Sequence, residues 1–412
     1  MKLILHNVVC SLTSALDLVG VNEVHHGKRV SLMAANVAKT LGWSAQLQID
    51  ILYAGMLHDC GVSTTGEHKS LVSELDWSDS QNHCERGYQY LTECPPFSKY
   101  ADWILYHHTH WSDLEKMDLA EPDKLAANLI FLLDRVDFLQ AKHIGFEHFD
   151  SNILIKKQRI IDDIQKYENS FFSPVLIDAF LLAAKKESFW LAMDDYYINA
   201  SVQNYSELSP VIKLSFEEIR SIAELFSKVI DAKSTFTKEH SLYVALLSRF
   251  LAEKLDFNLN ELQEIEIAGM LHDLGKLRVP DDILNKPGAL TPEEKSYIAR
   301  HSFDTVQLLR NVFPGTRIAE WAGFHHENLN GTGYPFHLTA EELDSGCKII
   351  AVADTFQALV QNRPYRGTLT IEEILPIIDE MVVTGKLAKP IVEVLKKYQH
   401  ESYAIASHGK IT

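Results

Sequence analysis

The sequence lacks any apolar run that approaches the roughly 20 residues needed to cross a bilayer, and it lacks an excess of positive charge. Lys and Arg number 39, against 56 Asp and Glu, and the formal net charge is -17. This balance argues against nucleic-acid polymers or anionic membranes as partners, although a local basic pocket remains compatible with a phosphodiester. The stretch from Met1 to Asp17 contains one lysine and no small-residue cleavage pattern, so it does not predict a signal peptide.

Cysteine is also scarce. The five cysteines are Cys10, Cys60, Cys84, Cys94 and Cys347. Their number is odd and no two form a C-x-x-C pair, which favours reduced thiols in a cytoplasmic protein over a disulfide framework.

Three catalytic motifs are missing as well. The stretch from Gly269 to Lys276 has too many residues between its glycines for a phosphate loop, and the chain contains neither H-E-x-x-H nor G-x-S-x-G.

The chain does contain an internal repeat of residues that commonly bind metals. In the first half these residues are His26, His58, Asp59, His83, His107, His108 and Asp134. In the second half they are His240, His272, Asp273, His301, His325, His326 and Asp354. In both halves the first and second histidines are 32 residues apart, and the third and fourth are 24 residues apart. This agreement in type, order and spacing indicates two copies of one domain.

Apolar residues recur at every third or fourth position between these ligand-type residues, as in Val244, Leu247, Phe250 and Leu251. No stretch of the sequence shows sustained alternation bounded by hairpin turns. The pattern therefore predicts an all-α protein of two tandem helical domains whose ligands project inward from several helices. We place the domains at residues 1–205 and 206–412, because Ser, Asn and Pro accumulate between residues 199 and 213.

The pair His272 and Asp273 falls near the end of a predicted helix that Gly275 would terminate. An adjacent imidazole and carboxylate can bind one ion, and the second carboxylate oxygen can bridge to another. Histidines that cap helices or lie satisfied in a core would explain any two of the seven residues, but not the full set. We therefore predict two divalent ions that share Asp273, with iron or manganese favoured and zinc compatible. Such a pair points to phosphodiester hydrolysis.

The second half, over about residues 220–400, resembles the HD-GYP family of the HD superfamily of metal-dependent phosphohydrolases. The matching motifs are His272-Asp273-Leu274-Gly275-Lys276, Val279-Pro280, Ile283-Leu284-Asn285-Lys286-Pro287-Gly288, His325-His326-Glu327, Gly331-Thr332-Gly333-Tyr334-Pro335 and Arg363-Pro364-Tyr365-Arg366. The resemblance implies a phosphodiesterase that opens a cyclic dinucleotide, either cyclic di-GMP or the hybrid 3′,3′-cyclic GMP-AMP, to a linear product. The alternatives are a receptor that binds such a dinucleotide without cutting it, and an HD-type nucleotidase.

The resemblance also implies roles for individual residues. Lys276, Arg363 and Arg366 are expected to contact the substrate phosphates, and the loop Gly333-Tyr334-Pro335 is expected to border the site. Arginine offers a planar fork for phosphate oxygens and lysine offers a compact charge. The expected ligands of one ion are His240, His272, Asp273 and Asp354, and those of the other are Asp273, His301, His325 and His326. The residues expected to be catalytic are Asp273 and Lys276.

Two positions depart from the family's pattern. Phe236 stands where some members have a glutamate that holds a third metal, so we expect two ions. Gln357 stands where the family usually has a second aspartate, three residues after Asp354. The departure at Gln357 bears on guanine recognition, and it leaves the hybrid dinucleotide open as the substrate.

The first half resembles a divergent copy of the same domain, and its seven ligand-type residues form a second candidate metal site. Val62, however, occupies the place of Lys276, and Thr109-His110-Trp111-Ser112 follows the paired histidines with no Gly-Tyr-Pro loop. We therefore expect a regulatory or structural domain rather than a second cyclic-dinucleotide site, with a nucleotidase for the linear product as the alternative. A homodimer or a signalling protein is the expected macromolecular partner.

Overall fold

A computed structural model describes residues 3–20, 25–71, 73–144, 153–207, 213–233, 239–362 and 367–410. The chain divides into two compact units, Met1–Leu214 and Ser215–Thr412. Residues 208–212, within the segment where the sequence places the domain boundary, lie outside the described residues, as do Phe236, Arg363 and Arg366. The domain limits at 205 and 206 stay a prediction.

Both units are built from α-helices. The helices of the first unit are α1 (Leu5–Leu16), α2 (His26–Thr40), α3 (Ala45–Leu57), α4 (Thr65–Leu71), α5 (Gln81–Thr92), α6 (Ala101–Leu105), α7 (Trp111–Leu114), α8 (Glu121–Ile144), α9 (Ile153–Gln165), α10 (Pro174–Ala184), α11 (Glu187–Leu191) and α12 (Ile198–Gln203). The helices of the second unit are α13 (Phe216–Lys233), α14 (His240–Glu253), α15 (Leu259–Leu271), α16 (Asp281–Leu284), α17 (Pro292–Val312), α18 (Ile318–Gly323), α19 (Ser345–Val360), α20 (Ile371–Val383), α21 (Lys389–Lys397) and α22 (Gln399–His408). Over the described ranges the β-type pairings are two isolated bridges, Glu168 with Phe172 and Asn330 with Thr339. The all-α prediction is confirmed.

The ends of α15 show how the sequence places the His-Asp pair. The helix begins with a capping box in which the Asn258 side chain accepts from the Glu261 backbone N–H and the Glu261 carboxylate accepts from the Asn258 backbone N–H. Apolar residues follow at helical spacing, and Ile265, Ala268 and Leu271 are buried. Helix α15 ends at Leu271, and a 3-10 turn from Leu274 to Arg278 follows. His272 and Asp273 therefore lie at the break between two helical segments, where the backbone hydrogen bonds of α15 end.

Matching glycines let the ligand-bearing helices approach closely in both units. A Cβ atom added to Gly269 of α15 would lie 2.6 Å from the Ala245 Cα of α14. A Cβ atom added to Gly55 of α3 would lie 2.8 Å from the Ser31 Cα of α2. Because these neighbours are backbone atoms, no side-chain rotation can relieve such a clash. The glycines thus set the distance between the helix that begins with the first histidine and the helix that ends at the His-Asp pair.

No helix in the described part of the chain combines the length and the apolar character that a membrane span requires. All five cysteines are free thiols.

The close approach at Gly269 predicts a stability loss for Gly269→Ala. We expect the free energy of unfolding to fall by about 1–3 kcal/mol, as for other overpacked cores. The higher helix propensity of alanine, worth about 1 kcal/mol relative to glycine, offsets only part of this loss. Chemical denaturation followed by circular dichroism measures the change. The control is Gly288→Ala in the same unit, where an added Cβ has no heavy atom within 4 Å. Equal stability of Gly269→Ala and the wild type would contradict the packing argument.

Candidate metal centre

In the second unit, five separate elements bring the predicted ligands together. His240 begins α14, and His272 with Asp273 follows α15. The remaining predicted ligands are His301 in α17, His325 and His326 after α18, and Asp354 in α19. His240, His272, Asp273, His301 and His325 are each no more than 3% exposed. The six residues other than Asp273 surround its carboxylate from several sides.

The two oxygens of Asp273 face different pairs of histidines. Oδ2 lies 3.6 Å from the His240 Nε2 and 3.3 Å from the His272 Nε2. Oδ1 lies 3.4 Å from the His301 Nε2 and 3.7 Å from the His325 Nε2. Oδ1 is buried and has no hydrogen-bond partner among the described residues. A buried carboxylate oxygen without a donor is costly unless a cation satisfies it, so this arrangement fits a carboxylate shared by two ions.

Asp354 and His326 complete the two groups. Asp354 Oδ1 lies 3.4 Å from the His240 Nε2 and 3.8 Å from the His272 Nε2, on the Oδ2 side of Asp273. The His326 ring lies 4.0 Å from the His325 ring and 5.1 Å from the His301 ring, measured between centroids. The ligand atoms of His301, His325 and His326 all lie within 4.8 Å of one another. Imidazole and carboxylate donors at this density fit divalent transition metals.

The ring orientation of each histidine follows from the partner of its Nδ1. Nδ1 of His272 lies 2.8 Å from the Gly269 carbonyl, and Nδ1 of His325 lies 2.6 Å from the Ala322 carbonyl. His301 uses the Ile298 carbonyl in the same way. Because a carbonyl only accepts, each Nδ1 carries a hydrogen, and Nε2 is the nitrogen of each ring that can bind a metal when it is deprotonated. Fixed tautomers of this kind are typical of metal-binding histidines.

Burial sets the protonation of most of these rings. It lowers the pKa of His240 and His301 to about 4 and that of His325 to about 3. For His272, burial also lowers the pKa, but the charges of Asp273 and Asp354 outweigh it and raise the value to about 9. Most of the ligands are therefore neutral at pH 7, whereas His272 holds a proton when no metal is bound.

Lys276 lies directly beside the shared carboxylate. Its Nζ donates to the Asp273 Oδ2 at 2.5 Å, and its side chain is 22% exposed. It projects from the 3-10 turn after the His-Asp pair. A cation at the edge of a buried carboxylate site is placed to meet an anionic ligand that enters from solvent.

The Gly-Tyr-Pro loop lies beside the histidines of the centre. The Tyr334 ring lies 4.9 Å from the His326 ring between centroids. Gly333 has no room for a side chain, because an added Cβ would lie 2.4 Å from the Glu327 Cα. The buried Glu327 carboxylate holds the loop by accepting from the backbone N–H groups of Phe336 at 2.7 Å and Leu338 at 3.0 Å. Sequence reasoning assigned Glu327 no role, although a glutamate directly after two predicted ligands was the available signal.

The first unit repeats this geometry. Asp59 Oδ2 lies 3.6 Å from the His26 Nε2 and 3.3 Å from the His58 Nε2, and Oδ1 lies 3.6 Å from the His83 Nε2. Asp134 Oδ1 lies 3.6 Å from the His26 Nε2. The remaining predicted ligands also join the cluster, since the His83 and His107 Nε2 atoms are 3.2 Å apart and the His108 Nε2 lies 3.8 Å from the Asp134 Oδ2.

Three neighbours of the first-unit cluster were missed from the sequence. Arg135 donates to the Asp134 Oδ2 at 2.6 Å and to the backbone carbonyls of residues 74 and 75. Asp137 accepts from the His26 Nδ1 at 2.8 Å. The Cys84 Sγ lies 3.5 Å from the His107 Nδ1. Each lies within three residues of a predicted ligand, and that proximity was the only available signal.

The surroundings of the two clusters differ in charge. Val62, in the place of Lys276, lines a cleft together with apolar residues such as Leu16 and with Asp59 of the cluster. Two buried arginines lie beside the first-unit cluster, Arg135 bonded to Asp134 and Arg29 bonded to Asp137. The second unit thus has a partly exposed lysine at the position where the first unit has a valine.

Comparison with known proteins agrees with an all-α fold of two HD-type domains. A family model described as an HD domain matches residues 224–387, and another with the same description matches residues 24–139. The chain is 38% identical to 3′3′-cGAMP-specific phosphodiesterase 1 of Vibrio cholerae, over 96% of this chain and 92% of that protein. It is 33% identical to a cyclic di-GMP phosphodiesterase of Thermotoga maritima, over 57% of this chain and 58% of that protein. A crystal structure of the V. cholerae cyclic GMP-AMP specific phosphodiesterase V-cGAP3 covers 97% of this chain and 98% of its own, with a TM-score of 0.66 and 23% identity.

An all-α fold with a repeated histidine and aspartate constellation defines an HD-domain phosphohydrolase, a metal-dependent class of enzyme. Within that class the chain belongs to the HD-GYP family of phosphodiesterases. The resemblance stated from the second-half motifs is thereby confirmed.

The raised pKa of His272 predicts that metal binding releases protons. Because a metal binds only neutral imidazole, loading of the second unit at pH 7 should release about one proton, the one held by His272. His58 contributes in the first unit, since Asp59 raises its pKa against the effect of burial. Metal affinity should rise as the pH increases from 7 toward 9. Calorimetric titration with Mn²⁺ in buffers of different ionisation enthalpy measures the proton count, and a count of zero with pH-independent affinity would contradict the assignment.

Proposed function

We propose that the second unit hydrolyses a cyclic dinucleotide second messenger to its linear dinucleotide. The observation that carries this proposal is the shared carboxylate of Asp273, whose two oxygens face separate histidine pairs. The similar proteins support it, since their names state phosphodiesterase activity on 3′3′-cGAMP or cyclic di-GMP. The Tyr334 loop beside the same histidines is a further argument for this reaction over that of a nucleotidase.

Among cyclic dinucleotides we favour the hybrid 3′,3′-cyclic GMP-AMP. Two relatives named as specific for that compound match this chain over nearly its whole length, 96% and 92% of it, and a third matches 47% of it. A relative named for cyclic di-GMP matches 57% of it. Cyclic di-GMP is therefore the second candidate.

We assign the residues of the second unit as follows. His240, His272 and Asp354 bind one ion with Asp273, and His301, His325 and His326 bind the other. When bound, such a pair supplies Lewis acidity for a phosphoryl oxygen and for the attacking water. Oxygen and imidazole donors without thiolate favour iron or manganese, and zinc also fits them.

Lys276 and the loop act on the substrate in this assignment. Lys276 offsets the negative charge that builds on the phosphoryl oxygens as the phosphorus is attacked, and it does so from a fixed position beside Asp273. Tyr334 and Gly333 line the entrance to the centre, and Arg363 and Arg366 are assigned to the substrate phosphates from the family motif alone. The neutral rings of His240, His301 and His325 leave their Nε2 lone pairs available for metal at pH 7.

For the first unit we propose a regulatory or structural role with a metal site of its own. The repeated geometry around Asp59 supports metal binding. Val62 removes the lysine of the second unit, and the buried Arg135 and Arg29 are bonded to Asp134 and Asp137, which argues against a phosphate contact like that of Lys276. A nucleotidase for the linear product is the alternative. Cytoplasmic location and a homodimer or signalling partner stay predictions.

Replacement of the shared carboxylate tests the main proposal. We expect Asp273→Asn to lose hydrolysis of both cyclic dinucleotides, because the amide cannot bridge two cations. The assay incubates Mn²⁺-loaded protein with each cyclic dinucleotide, a linear dinucleotide and a nucleoside triphosphate, and it separates the products by chromatography. The control is Asp282→Asn, which changes an exposed aspartate of the same unit. Binding of a cyclic dinucleotide without any product from the wild type would favour the receptor, and turnover of the triphosphate alone would favour the nucleotidase.

The matching change in the first unit tests the division of roles. We expect Asp59→Asn to lower the metal content per chain while hydrolysis of the cyclic dinucleotide by the second unit continues. Elemental analysis and the product assay measure the two quantities on the same sample. Loss of hydrolysis in Asp59→Asn, with metal retained in the second unit, would show that the first unit takes part in the reaction.

A further inference from the structure

His240 is oriented differently from the other predicted ligands of the second unit. His272, His301 and His325 each use the carbonyl three residues earlier as the acceptor for Nδ1. His240 is the first residue of α14, so no carbonyl of its own helix precedes it. Its Nδ1 instead lies 2.5 Å from the Oε1 of Gln357, 117 residues along the chain.

Gln357 is held so that only its oxygen faces the histidine. The side chain lies on α19, one turn after Asp354, and the residue is 2% exposed. Its Nε2 donates to the Ala406 carbonyl of α22 at 3.5 Å. Because the amide nitrogen has this acceptor, the amide oxygen points at His240 and accepts its Nδ1 hydrogen. The His240 Nε2 then presents its lone pair toward Asp273 and Asp354.

In the first unit, charged groups orient the corresponding histidine, His26. His26 begins α2, and its Nδ1 lies 2.8 Å from the Oδ2 of Asp137, three residues after Asp134. The Arg29 guanidinium holds Asp137 through two bonds, from Nε at 2.7 Å and from Nη2 at 3.0 Å. Arg29 and Asp137 together carry no net charge.

The second unit has no arginine in that place. Tyr243, three residues after His240, corresponds to Arg29, and its hydroxyl donates to Glu239. A carboxylate at position 357 would therefore bring a negative charge into a buried position without the guanidinium that Asp137 has. A neutral amide avoids that cost. Each unit thus orients its first histidine without adding net charge. The second unit has the neutral Gln357 and Tyr243 at these two positions, and the first unit has the ion pair of Asp137 and Arg29.

We propose that Gln357 is a positioning residue for the metal ligand His240. It fixes the tautomer and the ring angle of His240 through Oε1, and it links this ligand to the C-terminal helix α22 through the Ala406 carbonyl. The inference deepens the proposed function, on which it rests for the identity of the centre. Both polar ends of Gln357 face protein groups, so its effect on the reaction passes through His240 rather than through contact with a base.

The test measures Mn²⁺ affinity by chelator competition, with the metal as the probe, in an Asp59→Asn background so that only the second unit titrates. Gln357→Leu has nearly the same size but no acceptor for Nδ1. We expect it to weaken Mn²⁺ binding by about 10- to 100-fold, the usual effect of losing such a partner. Gln357→Glu keeps an acceptor and should bind Mn²⁺ better than Gln357→Leu. Turnover of Gln357→Leu should need more Mn²⁺ but recover at saturating metal, which a merely structural defect would not do.

The matched control is Gln140→Leu in the same background. Gln140 is a fully buried glutamine of α8, in the first unit, and its amide nitrogen lies 3.6 Å from the Met33 Sδ. Its Mn²⁺ affinity should equal that of the background protein. Thermal unfolding checks that each variant folds, and Gln357→Asn, which is too short to reach Nδ1, replaces Gln357→Leu if the latter does not.

The outcomes separate this inference from the proposed function. Equal Mn²⁺ affinity of the background protein and a folded Gln357→Leu or Gln357→Asn variant would overturn the positioning role alone. Weaker binding in these variants, together with no cleavage of any cyclic dinucleotide by the wild type, would support the positioning role and overturn the proposed function. A background protein that binds no Mn²⁺ would overturn both.

Discussion

The constraint on which the second unit depends is the burial of one carboxylate between four imidazoles. Asp273 is 1% exposed, and its Oδ1 has no hydrogen-bond donor among the described residues. A charge in such a place is stable only with compensating cations. Lys276 bonds to Oδ2 and not to Oδ1, which leaves the Oδ1 side for the second of the two proposed ions. The capping box of α15, the helix break after Leu271 and the close approach at Gly269 all serve to place this carboxylate.

The two units share one arrangement of ligand-type residues but differ in the charged groups around it. The distance from the aspartate Oδ2 to the Nε2 of the preceding histidine is 3.3 Å in both units. His58 and His272 also use the same kind of partner for Nδ1, the carbonyl three residues earlier. What differs is the position of the permanent positive charge. The second unit has a partly exposed lysine at the shared aspartate, whereas the arginines beside the first-unit cluster, Arg135 at Asp134 and Arg29 at Asp137, are buried.

Much of this arrangement is readable from the sequence because it is local or repeated. Helices follow from apolar spacing, and the fourteen ligand-type residues follow from a duplicated order that chance does not explain. The contacts that orient the first histidines are different in kind. Gln357 meets His240 across 117 residues and Asp137 meets His26 across 111, and a single sequence does not state which distant side chains pair. The departure at Gln357 was visible, but its contact with His240 required coordinates.

The most direct test of the account is anomalous X-ray diffraction from crystals of the Mn²⁺-loaded protein. The account predicts two ions in the second unit, about 3.5–4 Å apart, with one oxygen of Asp273 bound to each. A single ion there, or two ions that do not share Asp273, would contradict it.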